Sequence, residues 1–295
     1  MVERHLAKVA VVGSNPIARS IFVPGFGGRF DGGRAEGIRW PRDGWMNATK
    51  AEAREESMCG RYVLPEEEAL PAFGPFAGGF CRCAFRPRFN VPPTAQVPIV
   101  VAAAAGRQLV SARWGLVPAW WTKPAPPPRT FNARAEDAAE KPVWRDSWRA
   151  RRCLMPARGW FEWRAGETAR AAQQPFFIAC PDAPAIAFAG LWALREAPGT
   201  EPAASCAVLT KPAARGIAFI HPRMPVVLKP EQIAAWLDPA TPAADLAGLV
   251  AAARADFAAV PVGPRVNDVR NDDPGLLERV AAAATGDLFG GAGSQ

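Results

Sequence analysis

From Met58 onward the chain falls into short apolar runs rich in β-branched and aromatic residues, each bounded by turn formers. They cover residues 97–103, 108–116, 152–157, 175–180, 186–193 and 205–210. The runs are spaced too closely for a helix to separate each pair, which predicts mainly antiparallel pairing. Helical patterns fall at 66–73, 143–150, 231–237, 244–257 and 274–282, around rather than between most of the strands. The expected class is therefore α+β: a curved antiparallel sheet or open β-barrel core with peripheral helices. Lys123-Pro-Ala-Pro-Pro-Pro-Arg129 can be neither strand nor helix interior, because proline fixes φ and lacks an amide donor; it is expected to be a mobile loop.

Residues 1–57 read differently. Gly25-Phe-Gly-Gly-Arg29 and Asp31-Gly-Gly-Arg34 are turn-rich, and no sustained period follows them. Lys8-Val-Ala-Val-Val-Gly13 has the look of a strand, yet no GxGxxG follows to make it a nucleotide-binding turn. The expected organisation is a poorly ordered leader at 1–57 that is absent from the mature protein, a domain at 58–285 and a flexible tail at 286–295. No apolar run approaches the ~18–20 residues that cross a bilayer, and the start lacks the layout of a secretory signal. The expected location is the cytoplasm, without membrane contact.

Six cysteines and two histidines match no zinc template, since Cys81-Arg-Cys83 is one residue short of CxxC and has no second pair. No metal and no cofactor are expected. Cys153, Cys180 and Cys206 sit in strand-like runs as small hydrophobes. The net charge is +7, and seven arginines (145, 149, 151, 152, 158, 164 and 170) crowd one stretch. Guanidinium groups suit phosphate because their planar fork donates two hydrogen bonds at once. A solvated basic face is an equally good reading of the same run.

Four segments carry chemistry. Met58-Cys59-Gly60-Arg61-Tyr62 sets a cysteine directly after a methionine. Asn132-Ala-Arg134-Ala-Glu136 places alternate polar groups on one face if the backbone is extended. Gly159-Trp-Phe-Glu162-Trp163 embeds a carboxylate among aromatics, where burial demands a partner or a raised pKa. His221-Pro-Arg-Met-Pro225 holds the one histidine beyond residue 57. Each has a bland reading as core, turn or structural residue.

Together, and in this order, they resemble the SOS-response-associated peptidase (SRAP) family of abasic-site-processing proteins. Further segments carry the resemblance: Phe89-Asn-Val-Pro-Pro-Thr94, Trp114-Gly-Leu-Val-Pro-Ala-Trp120, Arg152-Cys-Leu-Met-Pro-Ala157, Ala189-Gly-Leu-Trp192 and Val266-Asn-Asp-Val-Arg-Asn-Asp-Asp-Pro274. The match runs from Met58 to about residue 280. It implies capture of abasic sites in single-stranded DNA by a monomeric enzyme of the hydrolase or peptidase class, with lyase-like Schiff-base chemistry. An N-terminal Cys59 would offer an amine and a thiol to the ring-opened sugar aldehyde and close a thiazolidine. The resemblance gives Glu162 and His221 the proton transfers and Asn132 the orientation of Cys59. Arg61 and Arg134 would hold phosphates, and Trp114 and Trp120 would support or stack on bases. Self-processing by the same domain would expose Cys59. The departure from the family is the 57-residue leader, because an acylated Cys59 nitrogen cannot form an imine. Two alternatives stay open: a cysteine peptidase with Cys59 as nucleophile and His221 as base, and a non-catalytic single-stranded-DNA-binding module.

Overall fold

A computed structural model of the protein describes residues 60–74, 86–166, 172–196 and 202–281. The leader at 1–57, Cys59, Cys81, Cys83 and the tail at 286–295 lie outside the described residues. Among those described are twelve strands: β1 (Arg61–Val63), β2 (Gln96–Ala103), β3 (Gly106–Trp114), β4 (Asn132–Arg134), β5 (Arg152–Ala157), β6 (Gly159–Arg164), β7 (Gln174–Ala179), β8 (Ile186–Arg195), β9 (Ala203–Pro212), β10 (Arg223–Pro225), β11 (Val227–Leu228) and β12 (Ala258–Pro261). They form two sheets, one ordered β1-β6-β7-β12 and one ordered β10-β9-β3-β2-β5-β8-β11 with β4 beside β9. β8 also pairs with β9, which curls the larger sheet back on itself. Pairing is antiparallel except where β3 and β4 run parallel to β9. The fold is α+β, as the strand spacing predicted.

All six expected strands are present to within a residue or two at most ends. The expectation passed over β6, because aromatic residues stand on both of its faces and no apolar–polar alternation marks it. That pattern belongs to a strand covered on two sides. A large core packs on one face of the small sheet, with Tyr62, Trp160, Phe176 and Ile178 facing it. A smaller cluster of Val63, Phe161, Val262, Val266 and Leu276 covers the other. Gly159 opens β6 because a Cβ there would stand 2.4 Å from the Ile178 carbonyl oxygen and inside the Phe177 ring.

Two expected helices are cut short. The Ala-rich run at 244–257 is helical only over Ala243–Ala251. Beyond it, Arg254 N–H donates to Val227 O, Phe257 packs edge-on against Trp160, and Ala258–Pro261 joins β7 as β12. Sheet pairing and burial outweigh alanine's small helix preference. The stretch at 274–282 keeps one 3₁₀ turn, Pro274–Leu277, and then extends so that Val280 N–H reaches Pro261 O. The segment at 66–73 is also 3₁₀, with Pro71 inside it.

Arg152 shows why the arginine-rich run is not all surface. It is buried, and its guanidinium donates to the Trp148, Arg149, Trp236 and Asp238 carbonyls. One side chain thus closes the carbonyl ends of the helices Arg145–Ala150 and Ile233–Leu237. Cys153, Cys180 and Cys206 are buried, and burial pushes the Cys180 thiol up to about 11. No helix among the described residues is long and apolar enough to cross a membrane.

Candidate active site

β1 and β6 build the first half of the site. Their register pairs Arg61 with Phe161, Tyr62 with Trp160 and Val63 with Gly159. The pairing ends at Arg61 and Phe161, so Gly60 precedes β1 at the end of the ladder where Glu162 follows Phe161 on β6. Cys59 lies outside the described residues, but its peptide bond to Gly60 keeps the two Cα atoms about 3.8 Å apart. Glu162 is only 2% exposed and has Phe176 of β7 as its cross-strand partner. A carboxylate this enclosed is far costlier than one in water unless its neighbours pair or hydrogen-bond with it.

β9 organises the second half. On one side β4 pairs Asn132 with Val208 and Arg134 with Thr210; on the other β10 pairs Arg223 with Pro212. Glu136 and Arg223 close over β9 in a two-pronged ion pair at 2.8 and 2.9 Å, and Arg223 Nη2 also donates to Thr210 O. The hydrogen bonds from Arg223 hold the Glu136 carboxyl below its usual range. His221, half-buried, lies at the entry to β10, where its Nδ1 is 3.2 Å from both Arg223 N and Arg223 O. Desolvation lowers its pKa, and the Arg223 charge acts in the same direction. The backbone hydrogen bond to Arg223 opposes that shift in part.

Two relays join the halves. Tyr62 meets the Trp114 ring edge-on at 5.2 Å. Trp114 Nε1 donates to Phe131 O at 2.8 Å, which fixes the backbone just before Asn132. On the other side, Phe176, opposite Glu162, meets the Phe219 ring at 5.8 Å, two residues before His221. Aromatic packing thus links β1 to the segment before Asn132, and the strand opposite Glu162 to the segment before His221.

The binding residues separate. Arg134 is exposed beside Asn132. Arg61 shares its face of β1 with Val63, the face turned away from Glu162. Its Nη1 donates to Asn90 Oδ1 and Val266 O, and its guanidinium lies 5.9 Å from the Trp163 ring. Trp114 is 1% exposed, so it has no free face for a base; it supports Phe131 and Asn132 instead of stacking. Trp120, at 51%, does present a face and leans on Trp121.

Sequence reasoning missed the Glu136–Arg223 pair and the buried Asn90. Asn90 Nδ2 donates to the Val266, Asp268 and Asn271 carbonyls, while Asp272 accepts from the backbone of Phe89 and Asn90. The signal for both lay in the quoted segments: complementary polar groups sit in two motifs far apart in sequence.

Comparison with known proteins gives the family. A family model described as SOS response associated peptidase (SRAP) matches residues 58–269. The chain is 30% identical over 225 residues to the abasic site processing protein YoqW of Bacillus subtilis, covering 75% of this chain and 99% of that protein. It is 31% identical over 196 residues to the abasic site processing protein YedK of Escherichia coli, covering 65% and 85%. Among solved structures, a phage-related protein of Bordetella bronchiseptica matches with a TM-score of 0.55 at 30% identity, covering 69% of this chain and 94% of its own.

Proposed function

Because the chain belongs to the SRAP family, we propose that it processes abasic sites in single-stranded DNA by capturing them on Cys59. The abasic sugar opens to an aldehyde. The free α-amine of Cys59, with a pKa near 8, attacks that carbon and forms an imine with loss of one water. The Cys59 thiol then adds across the C=N bond, its proton passing to nitrogen, and a thiazolidine ring closes. Glu162 transfers protons at the amine, and His221 delivers one to the sugar ring oxygen as the ring opens. Asn132 orients Cys59, Arg134 holds a flanking phosphate, and Trp120 offers a stacking face. The observation that supports this reading is a buried carboxylate, Glu162, next to the last β1–β6 pair at the end of β1 nearer Cys59.

The mechanism requires an unblocked Cys59 amine, so residues 1–58 are absent from the active form. The match that begins at Met58 supports this, as does the near-complete coverage of YoqW by three quarters of this chain. Either translation starts at Met58 or the chain processes itself there.

Uracil-containing single-stranded DNA treated with uracil glycosylase tests the reading. The protein beginning at Cys59 should give a denaturation-resistant gel shift, and Cys59→Ala should not. Cleavage of a peptide without DNA attachment would favour a cysteine peptidase. A complex that dissolves with salt would favour a binding module.

A further inference from the structure

Phe219 is 56% exposed. A single apolar residue in water needs no explanation by itself, but this one has a defined place. Its ring stands at 88° to that of Phe176 with centroids 5.8 Å apart. Phe176 is buried and lies directly across from Glu162, and the Arg164 guanidinium is 5.6 Å from the same ring. His221 follows Phe219 by two residues. Cross-strand neighbours lie ~5 Å apart, and stacked nucleotides ~3.4 Å apart along a strand. The path from the exposed ring through Phe176 to Glu162 is therefore at most ~11 Å, about three stacked nucleotides, and His221 is two residues away along the chain.

Loss of a base from DNA leaves its neighbour with one uncovered face. An aromatic ring held on its edge can cover that face at little cost in side-chain freedom, and stacking accepts any base. Resting on the proposed capture of abasic DNA, we infer that Phe219 is the stacking platform for the nucleobase next to the abasic residue. Arg164 holds the phosphate on that side. The platform favours a strand with a missing base, because an intact strand keeps that space filled.

The test uses single-stranded oligonucleotides with a tetrahydrofuran abasic analogue, which has no aldehyde and cannot crosslink. A second set has the flanking base removed as well, on one side or the other. Binding of the protein beginning at Cys59 is measured by fluorescence anisotropy over a range of salt. Phe219→Ala should weaken binding about 5- to 100-fold when the flanking base is present on the platform side. It should change little when that base is absent, and the salt slope should hold. Phe219→Trp should restore the affinity. Arg164→Ala should lower the slope by about 0.7 on both sets. Equal losses by Phe219→Ala on every oligonucleotide, or none on any, would overturn the platform. Adduct formation on reactive abasic DNA is read in parallel with the unsubstituted protein. Its failure would remove the abasic reading, whereas normal adducts with no base-dependent loss would remove only the platform.

Discussion

The two faces of β6 do different work. Glu162 shares its face with Trp160 on the large-core side, opposite Phe176, whose ring meets that of the exposed Phe219. Phe161 and Trp163 point the other way, onto a small cluster pinned by Asn90, Asp272 and Arg61. On the proposed mechanism, alternation along one strand separates a chemical face from a holding face. The holding face ties the chain just after Cys59 to the segment Val266–Asp272 by hydrogen bonds that leave little play. Fixing the chain start is what lets an amine meet an aldehyde at high effective concentration.

Variants can break that comparison. The largest effect is expected on the chemical face: Glu162→Gln and His221→Ala should each slow adduct formation about 10²–10⁴-fold while reversible DNA binding persists. Adduct yield against time measures it. Next comes Asn90→Ala, which strands three carbonyls and removes an acceptor from the Arg61 guanidinium, and should cost about 3 kcal/mol in a denaturant titration. The adduct rate per folded molecule should stay close to that of the unsubstituted protein. If Asn90→Ala instead slows chemistry without loss of stability, the division between faces is wrong.

Arginines sharpen the contrast. Arg61→Ala should cost about 1–2 kcal/mol of stability, since Asn90 Oδ1 and Val266 O lose a charged donor. Arg134→Ala should leave stability alone and lower the salt slope of single-stranded DNA binding by about 0.7, equally for all sequences. A matching change of slope in Arg61→Ala would put phosphate on both faces.

The smallest expected effect concerns pH. Desolvation holds the folded pKa of His221 below 6.5, so the unfolded chain binds its proton first as pH falls. Stability that is present above 6.5 is lost as pH drops through the folded value. His221→Gln should lose less stability than the unsubstituted protein between about pH 7 and about pH 5, read by thermal melts. A greater acid loss in the variant would contradict the desolvated imidazole.

Much of this was legible in the sequence where one face of a strand is apolar and the other is not. The runs at 97–103 and 175–180 announced β2 and β7, because short stretches of β-branched and aromatic residues between turn formers have few other uses. β6 stayed hidden because aromatics on both its faces erase the alternation. Asn132, Glu162 and His221 stood out through residue type and order, yet the packing that links their segments depends on β9 and on the Tyr62–Trp114 contact, which no local pattern encodes. Trp114 carries the same lesson in reverse: its motif suggested a stacking surface, and tertiary burial made it a support for Phe131. The 244–257 stretch shows how a neighbour's open edge can stop a helix that composition favours.

The most direct test of the central claim is the intact mass of the covalent product formed on abasic single-stranded DNA. The expected product begins at Cys59, weighs the sum of protein and DNA less one water, and is unchanged by borohydride because the imine has closed to a thiazolidine. A stable adduct on a chain that still carries residues before Cys59 would contradict the mechanism, since its amine would be locked in a peptide bond.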